Sequence, residues 1–279
     1  MSTSNPDRST YTIHQLREGT LREVEDTLAV EEPLEIRLGY TDPRKGRQHR
    51  SVSITMRTPG NDLALALGFL YSESILRRVE DVISVDQSRA NVIRIELSDD
   101  ASFDPLRLER HFYTTSSCGV CGKASLETLS LTGIDALPGI GTRIKASALR
   151  RLPAQLRDVQ PLFAATGGNH GVALFDFAGK VEMGMEDVGR HNAMDKLIGT
   201  LLQQGRLPLR ERGILVSGRA SFELMQKALT AGCPLLAAVG APSSLAVELA
   251  QEFNIILLGF LGAERFNVYH GHEALDFDD

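Results

Sequence analysis

The residues best placed to do chemistry are two cysteines three positions apart, Cys118 and Cys121, in the run CGVCG at 118–122. Glycines flank and separate the thiols, and the stretch KASLETLSL that follows reads as a helix. Backbone N–H groups and the dipole at a helix start favour the thiolate, the reactive form of cysteine. Cys118, further out in the loop, is expected to be the more accessible thiol. Two other readings stand beside this one. The pair could be half of a zinc site, which needs about four ligands; Cys233 and scattered histidines would have to supply the rest. It could also be a thioredoxin-type redox pair, although such motifs sit near a βαβ start.

A second group of residues suits the binding of anions. Ser217-Gly218-Arg219-Ala220-Ser221 and Ala241-Pro242-Ser243-Ser244 fall where a strand should end and a helix begin, and free N–H groups at such junctions bind phosphates. Thr166-Gly167-Gly168 and the loop from Gly259 to Arg265 could join them, with Arg219 and Arg265 as bidentate donors. For any one junction taken alone, ordinary N-capping beside solvated arginines is the better account. Neither a Walker A motif nor a complete GxGxxG is present, so neither ATP hydrolysis nor standard dinucleotide binding has a motif behind it.

The run MEDVGRHNAMDK at 185–196 gathers Glu186, Asp187, Arg190, His191, Asn192, Asp195 and Lys196. A histidine beside carboxylates can act as acid, base or ligand. The plainer reading makes Asp187 an N-cap and the rest helix-surface charge. His170, in TGGNHG, reads either as a turn residue or as a site residue, and Cys233, in AGCPLL, as a buried small hydrophobe.

The elements that must carry these residues can be read from periodicity. Leu34, Ile36, Leu38, then Val52, Ile54, Met56, then Ile93, Ile95, Leu97 alternate as in half-buried strands. Between the second and third runs, DLALALGFLYSESILRR reads as a helix with Asn61 and Asp62 as candidate N-caps. Residues 31–110 are therefore expected to form a small α+β unit, and 111–160 a connector holding the cysteine loop and helical segments. From residue 161 to 272 a hairpin, VALFDFAG with KVEMGM, leads into a helix and then a β-α-β-α-β alternation. That pattern predicts a layered α/β core around a largely buried parallel sheet. Residues 1–30 are expected as a flexible tail and 273–279 as an acidic one.

The chain has 279 residues, 42% of them hydrophobic, enough for one large or two small domains. Its 30 Lys and Arg against 36 Asp and Glu give a net charge of -6, which argues against binding along nucleic acid. Three cysteines are too few for a disulfide scaffold and fit a reducing compartment. The first 30 residues hold no apolar stretch of signal-peptide length and no later run approaches a membrane span, so the expected location is the cytoplasm.

Six motifs in order, CGVCG, TGGNHGVALF, EDVGRHNAMDK, SGRASFELMQK, APSSLAVELA and LLGFLGAERFNVYHG, together with PGNDLALALGFLYSESIL near the start, closely resemble the FdhD family. These are the sulfur carrier proteins required for formate dehydrogenase activity, and the resemblance runs from about Pro33 to Gly271. It implies a sulfurtransferase that takes persulfide sulfur from a cysteine desulfurase. The sulfur then passes to the molybdenum cofactor in its bis-guanine-dinucleotide form, before insertion into the formate dehydrogenase catalytic subunit. Cys118 matches the persulfide carrier, with Cys121 as the second thiol.

Phe260, Leu261, Gly262, Ala263, Glu264 and Arg265 match the family's cofactor-binding segment. Ser217, Arg219, Gly167, Gly168, His170 and His191 are the further candidate contacts, with GDP as a mimic of the cofactor and no resident metal. The resemblance also implies a cytidine deaminase-like core and a homodimer. Asn169, Gly240 and Ser243 depart from the family pattern, which puts fine positioning of the ligand in question. The alternative function is a noncatalytic chaperone that holds the cofactor while the thiols are structural. A zinc deaminase would need H-x-E or C-x-E and then P-C-x-x-C; neither triplet occurs, and Ser117 precedes Cys118.

Overall fold

The computed structural model describes residues 6–101 and 135–277. Cys118 and Cys121 lie outside the described residues, as does the helix expected after them.

The N-terminal unit is a four-stranded sheet with one helix on it. Strands β3 (Glu32–Asp42) and β4 (Gly46–Arg57) form a hairpin, and β5 (Val82–Asp86) and β6 (Val92–Leu97) complete the order β4-β3-β6-β5, with β3 and β6 parallel. Leu34, Ile36, Leu38, Ile93, Ile95 and Leu97 all point to one buried face, as their alternation predicts. The β4 run behaves differently. Ile36 pairs with Ser53 but Arg37 with Ser51, so Val52 is an extra residue in the ladder. A bulge of one residue exchanges the two faces of everything beyond it. Ser53 and Thr55 therefore face inward with Ile36 and Leu34, while Ile54 is 70% exposed and Met56 47%.

Helix α1 (Asp62–Ser72) covers this sheet. Asn61 occupies its N-cap position in a left-handed conformation without capping through its side chain. The Asp62 carboxylate instead takes two hydrogen bonds from the buried Arg57 guanidinium, each 2.9 Å. Helix α1 is apolar nearly all round because its other side is buried too, against α5 (Arg190–Gln203). The two helices cross at Gly68 and Gly199: a β-carbon at Gly68 would run into the Asp195 carbonyl, and one at Gly199 into the Ala64 carbonyl.

The larger unit is built on a six-stranded sheet of order β13-β12-β11-β10-β8-β9, made by β8 (His170–Asp176), β9 (Val181–Asp187), β10 (Arg212–Val216), β11 (Leu235–Ala238), β12 (Ile256–Gly259) and β13 (Asn267–His270). The sheet is mixed, which corrects the parallel expectation. Strands β10, β11 and β12 are parallel, joined by helices α6 (Phe222–Thr230) and α7 (Ser244–Glu252), whereas β8, β9 and β13 run antiparallel to their neighbours. The tight hairpin and the short last connection leave no room for a helical crossover, so those strands must reverse direction.

Alternate residues of the sheet feed two cores. Val172, Leu174, Ile214, Val216, Leu236 and Leu257 pack under α5, α6 and α7. Ala173, Phe175, Leu215, Leu235, Ala237 and Leu258 pack on the other face against Leu149, Leu152 and Leu156. Those three leucines belong to the short helices α2 (Ala146–Arg150) and α3 (Leu152–Asp158), which precede α4 (Pro161–Thr166). Helices thus cover both faces of one sheet. A parallel pair, β7 (Ile144–Lys145) with β14 (Leu275–Asp276), closes this side.

The N-terminal stretch expected as a tail is largely an antiparallel hairpin of β1 (Arg8–Arg17) and β2 (Thr20–Ala29). Glu18 and Gly19 at its tip both have positive φ, 52° and 77°, the geometry of a two-residue hairpin turn. Most of its side chains are exposed, which is why polarity alone suggested a tail; its base lies against α4. No helix among the described residues is long and apolar enough to cross a membrane.

Candidate functional site at the carboxyl ends of the strands

The segments leaving β10, β11 and β12 lie side by side and are joined by their own backbones. Val239 N donates to Val216 O at 3.0 Å, Gly240 N to Gly218 O at 2.9 Å and Ser243 N to Ala220 O at 2.9 Å. The third segment is tied to the second: Phe260 N donates to Gly240 O and Leu261 N to Ala238 O, each at 3.0 Å. Such close stacking leaves no space at the middle position, since a β-carbon on Gly240 would sit 2.9 Å from the Gly218 carbonyl oxygen. Because β8 is antiparallel to β10, its first residues arrive at the same edge. Ser217 N donates to Gly171 O, and Gly171 N donates to Ser217 Oγ, both at 2.9 Å.

Several predicted site residues are thereby brought together. Gly167, Gly168, His170 and Ser217 share the wall of one cavity of about 450 Å³ with Gln160 and Phe163. Arg219 is exposed in the β10 segment. Of the 260–265 loop, Leu261 is buried and anchors it, Gly262 N closes a turn onto Arg265 O at 3.0 Å, and Phe260, Ala263, Glu264 and Arg265 are exposed. This loop does not line the 450 Å³ cavity; it stands three strands away. At about 4.8 Å per strand, the row from His170 to the loop spans about 14 Å.

Both helix starts at this edge are already capped. Ser221 Oγ accepts from Leu224 N at 3.5 Å and Ser243 Oγ from Ala246 N at 3.2 Å. The plain capping reading of those serines therefore holds, and the surface open to an anion is the segments before them.

His170 and His191 flank the edge. Burial, then the nearby Arg190 guanidinium, lowers the His170 imidazole below its ordinary range. His191 is pushed down to about 4 by burial and then by the charges of Arg190 and Lys227, against the opposing pull of Glu223. Its Nε2 is 3.9 Å from Glu223 Oε2. Both rings are accordingly neutral at pH 7, and the positive charge at this edge comes from the arginines. His191 also borders a second cavity of about 230 Å³ with Ser53, Thr55, Glu73, Asp195 and Lys227, at the junction of the two units.

Behind the edge, the 185–196 run is not surface charge. Asp187 and Lys196 form a buried ion pair of 2.8 Å. Asp187 also accepts from Thr58 N at 3.2 Å, Gly189 N at 2.9 Å and Asn192 Nδ2 at 3.0 Å. Asp195 accepts from Lys227 Nζ at 2.8 Å and from Ser72 Oγ at 2.9 Å. Glu186 holds the start of α4, its two carboxylate oxygens accepting from Leu162 N at 2.9 Å and Phe163 N at 2.7 Å. These contacts give Glu186, Asp187, Asp195 and Lys196 positioning roles that the one-dimensional spacing did not reveal.

The sequence reading missed Thr58, Gln160 and Phe163. Thr58 links the two units: its Oγ1 accepts from Asn169 Nδ2 and from Val188 N, each at 3.2 Å, and its carbonyl accepts from Lys196 Nζ at 2.9 Å. Its signal was the Thr58-Pro59-Gly60 turn between a strand and a helix. Gln160 and Phe163 lie around a helix start marked by Pro161, without any motif.

Cys233 is fully buried, with its Sγ 3.2 Å from Leu235 O, and burial pushes its thiol up to about 12. It is inert, and it cannot serve as the missing ligand of a zinc site. Among the described residues no cluster of three or more His, Cys, Asp or Glu could hold a metal ion. A larger cavity, about 800 Å³, opens at the opposite end of the sheet near Arg212 and Pro234 and includes none of the predicted site residues.

Similar sequences and a similar fold are found in known proteins. A protein from Streptomyces avermitilis named sulfur carrier protein FdhD is 46% identical over 275 residues, covering 94% of each chain. One of the same name from Mycobacterium tuberculosis is 47% identical, over 88% of this chain and 90% of its own, and one from Sulfurisphaera tokodaii 40%, over 94% and 97%. A crystal structure from Desulfotalea psychrophila, described as a formate dehydrogenase accessory protein, superposes with a TM-score of 0.73 at 21% identity, over 97% of this chain and all of its own. The model of the FdhD/NarQ family matches residues 29–276, and the chain belongs to that family.

Proposed function

We propose that this protein is a sulfur carrier that serves formate dehydrogenase, receiving sulfur from a cysteine desulfurase and delivering it to the molybdenum cofactor. The observation that carries the cargo assignment is the row of joined segments at the strand ends. It offers the hydroxyls of Ser217, Ser221 and Ser243 and the guanidinium groups of Arg219 and Arg265 along about 14 Å, while the backbone N–H groups named above join the segments to one another. Such a row suits a long polyanion better than a single phosphate, and a bis-guanine-dinucleotide cofactor is a long polyanion. GDP is its simplest mimic. Family membership and the names of the relatives support the sulfur chemistry.

The carrier would be Cys118, with Cys121 beside it. The Cys118 thiolate attacks the outer sulfur of the desulfurase persulfide, a new S–S bond forms on Cys118, and the desulfurase cysteine leaves as thiolate. Neutral His170 and His191 can donate or accept one hydrogen bond each at the cofactor without adding charge. A second copy of the chain and the formate dehydrogenase catalytic subunit are the further partners of this proposal.

Incubation with a cysteine desulfurase and cysteine, without reductant, followed by intact and peptide mass measurement, tests it. One added sulfur on Cys118, lost in Cys118→Ala, is the expected result. No added sulfur on either thiol, from a desulfurase active on another acceptor, would replace the carrier with a chaperone that only holds the cofactor.

A further inference from the structure

The arm formed by β1 and β2 is a ribbon of paired residues from Arg8 with Ala29 to Arg17 with Thr20, and among the described residues no third strand joins it. A two-stranded hairpin alone in water is marginally stable, and each open edge offers unpaired backbone N–H and C=O groups to another chain. The two edges are not alike. Strand β2 carries Arg22, Glu23, Glu25 and Asp26, the kind of charge that guards an edge. Strand β1 has no Asp, Glu, Lys or Arg between Arg8 and Arg17. Its STYTIHQL run holds Thr10, Tyr11, Thr12 and Ile13, all strong strand formers, without Pro or Gly.

The direction of the free groups follows from the ladder. Val30 N donates to Asp7 O at 2.9 Å, and the pairing alternates from there, so the odd-numbered residues of β1 bond to β2. The backbone groups of Thr10, Thr12, His14 and Leu16 point the other way. Side chains on this strand are open as well: Tyr11 is 54% exposed and Leu16 70%. Tyr11, Ile13 and Val24 share one face of the ribbon, an apolar stripe with Arg17 at one end of β1 and Asp7 beside the other.

We propose that the free edge of β1 pairs antiparallel with the same edge of a second copy of this chain, about a two-fold axis at Thr12. A two-fold interface must be self-complementary, and this edge meets that condition. With Thr12 opposite the partner's Thr12, Tyr11 lies opposite the partner's Ile13 and Arg17 opposite the partner's Asp7, and the symmetry repeats both relations. Aromatic with β-branched pairs and opposite charges are favourable cross-strand combinations. The axis falls on a residue whose backbone groups point outward, so Thr12 exchanges both of its bonds with the partner's Thr12. The two ribbons then form one four-stranded sheet in which the stripes of Tyr11, Ile13 and Val24 merge on one face. The base of each arm rests on α4, whose Phe163 walls the 450 Å³ cavity, so the joined arms connect the two candidate sites. The inference rests on the second copy named above as a partner and assigns the surface through which it docks.

The test is sedimentation velocity of the full chain across a dilution series, with Thr12→Lys and Leu21→Lys beside wild type and melting temperatures compared first. Wild type should sediment as two chains. Thr12→Lys sets like charges opposite each other at the axis and should raise the dimer dissociation constant about tenfold or more. Leu21→Lys adds the same charge on the guarded strand and should leave the mass unchanged. If Thr12→Lys does not fold, site-resolved hydrogen exchange on wild type carries the comparison. The Thr10, Thr12 and His14 amides should be protected in the dimer and lose that protection on dilution. A two-chain mass for well-folded Thr12→Lys, or edge amides that exchange as fast in the dimer as on dilution, overturns the β1 pairing and leaves the second copy standing. A single-chain mass for wild type at every concentration overturns the second copy itself, and the pairing with it.

Discussion

The Asp187 carboxylate lies 2.8 Å from Lys196 Nζ with both side chains almost wholly removed from solvent, one on the last strand of a hairpin and the other on the helix that follows. The pair is tied to the N-terminal unit through Thr58, whose N–H donates to Asp187 and whose carbonyl accepts from Lys196. It therefore locks the two units together just behind the edge where His170 and His191 stand. Removing one member leaves a buried charge without its partner, at a cost of about 3–5 kcal/mol. Asp187→Ala should lower the urea midpoint accordingly, and the double variant Asp187→Ala, Lys196→Met should recover part of the loss. Equal stability of Asp187→Ala and wild type would show that the pair does not join the units.

The crossing of α1 and α5 has no space for a side chain at Gly68 or Gly199. Gly199→Ala should push the helices apart and cost about 1–3 kcal/mol or more, despite the better helix propensity of alanine. Gly139→Ala, where a β-carbon would meet nothing within 4 Å, is the matched control and should be close to neutral. Thermal melts of the two variants decide the matter.

His191 makes stability depend on pH in a defined direction. Its folded pKa is about 4, against an ordinary value of 6.5, so the unfolded chain takes up a proton first as pH falls. Stability from this group is complete above about pH 6.5 and is lost progressively as pH falls towards 4. With the side chain 37% exposed, screening reduces the effect to about 1 kcal/mol. His191→Gln should flatten the stability curve across that window, as read by urea unfolding at half-unit pH steps. A curve as steep as that of wild type would place the depressed group elsewhere.

Arg265 stands exposed on the loop whose turn is closed by the Gly262 N–H bond to its own carbonyl. If this loop binds the phosphates of the cargo, Arg265→Ala should weaken GDP by about tenfold, the worth of one charge-assisted hydrogen bond. The loss should shrink as salt is raised. Unchanged GDP affinity in Arg265→Ala would move the phosphates away from this loop.

Local periodicity was enough to reveal every strand and helix from His170 to His270, because each is a short run of apolar residues whose spacing reports its own conformation. It revealed the burial of Leu34, Ile36 and Leu38 for the same reason. It failed at Ile54 and Met56, where a single unpaired residue, Val52, reversed the faces: a bulge is a property of two paired strands, not of one. It failed at residues 8–29 because a polar hairpin buries too little to show an apolar stripe. Composition and motifs marked residues 167–170, 217–219 and 260–265 as a site.

The sequence by itself determined the element types from residue 170 onward, the family and the candidate residues, since these depend on neighbours along the chain. Tertiary structure alone decided that Glu186 holds a helix start, that Asp187 and Asp195 are buried in ion pairs and that the Gln160 amide nitrogen, beside a cavity, has no partner among the described residues. Each of those outcomes depends on groups distant in sequence, where burial and hydrogen-bond geometry are set by packing rather than by local conformation.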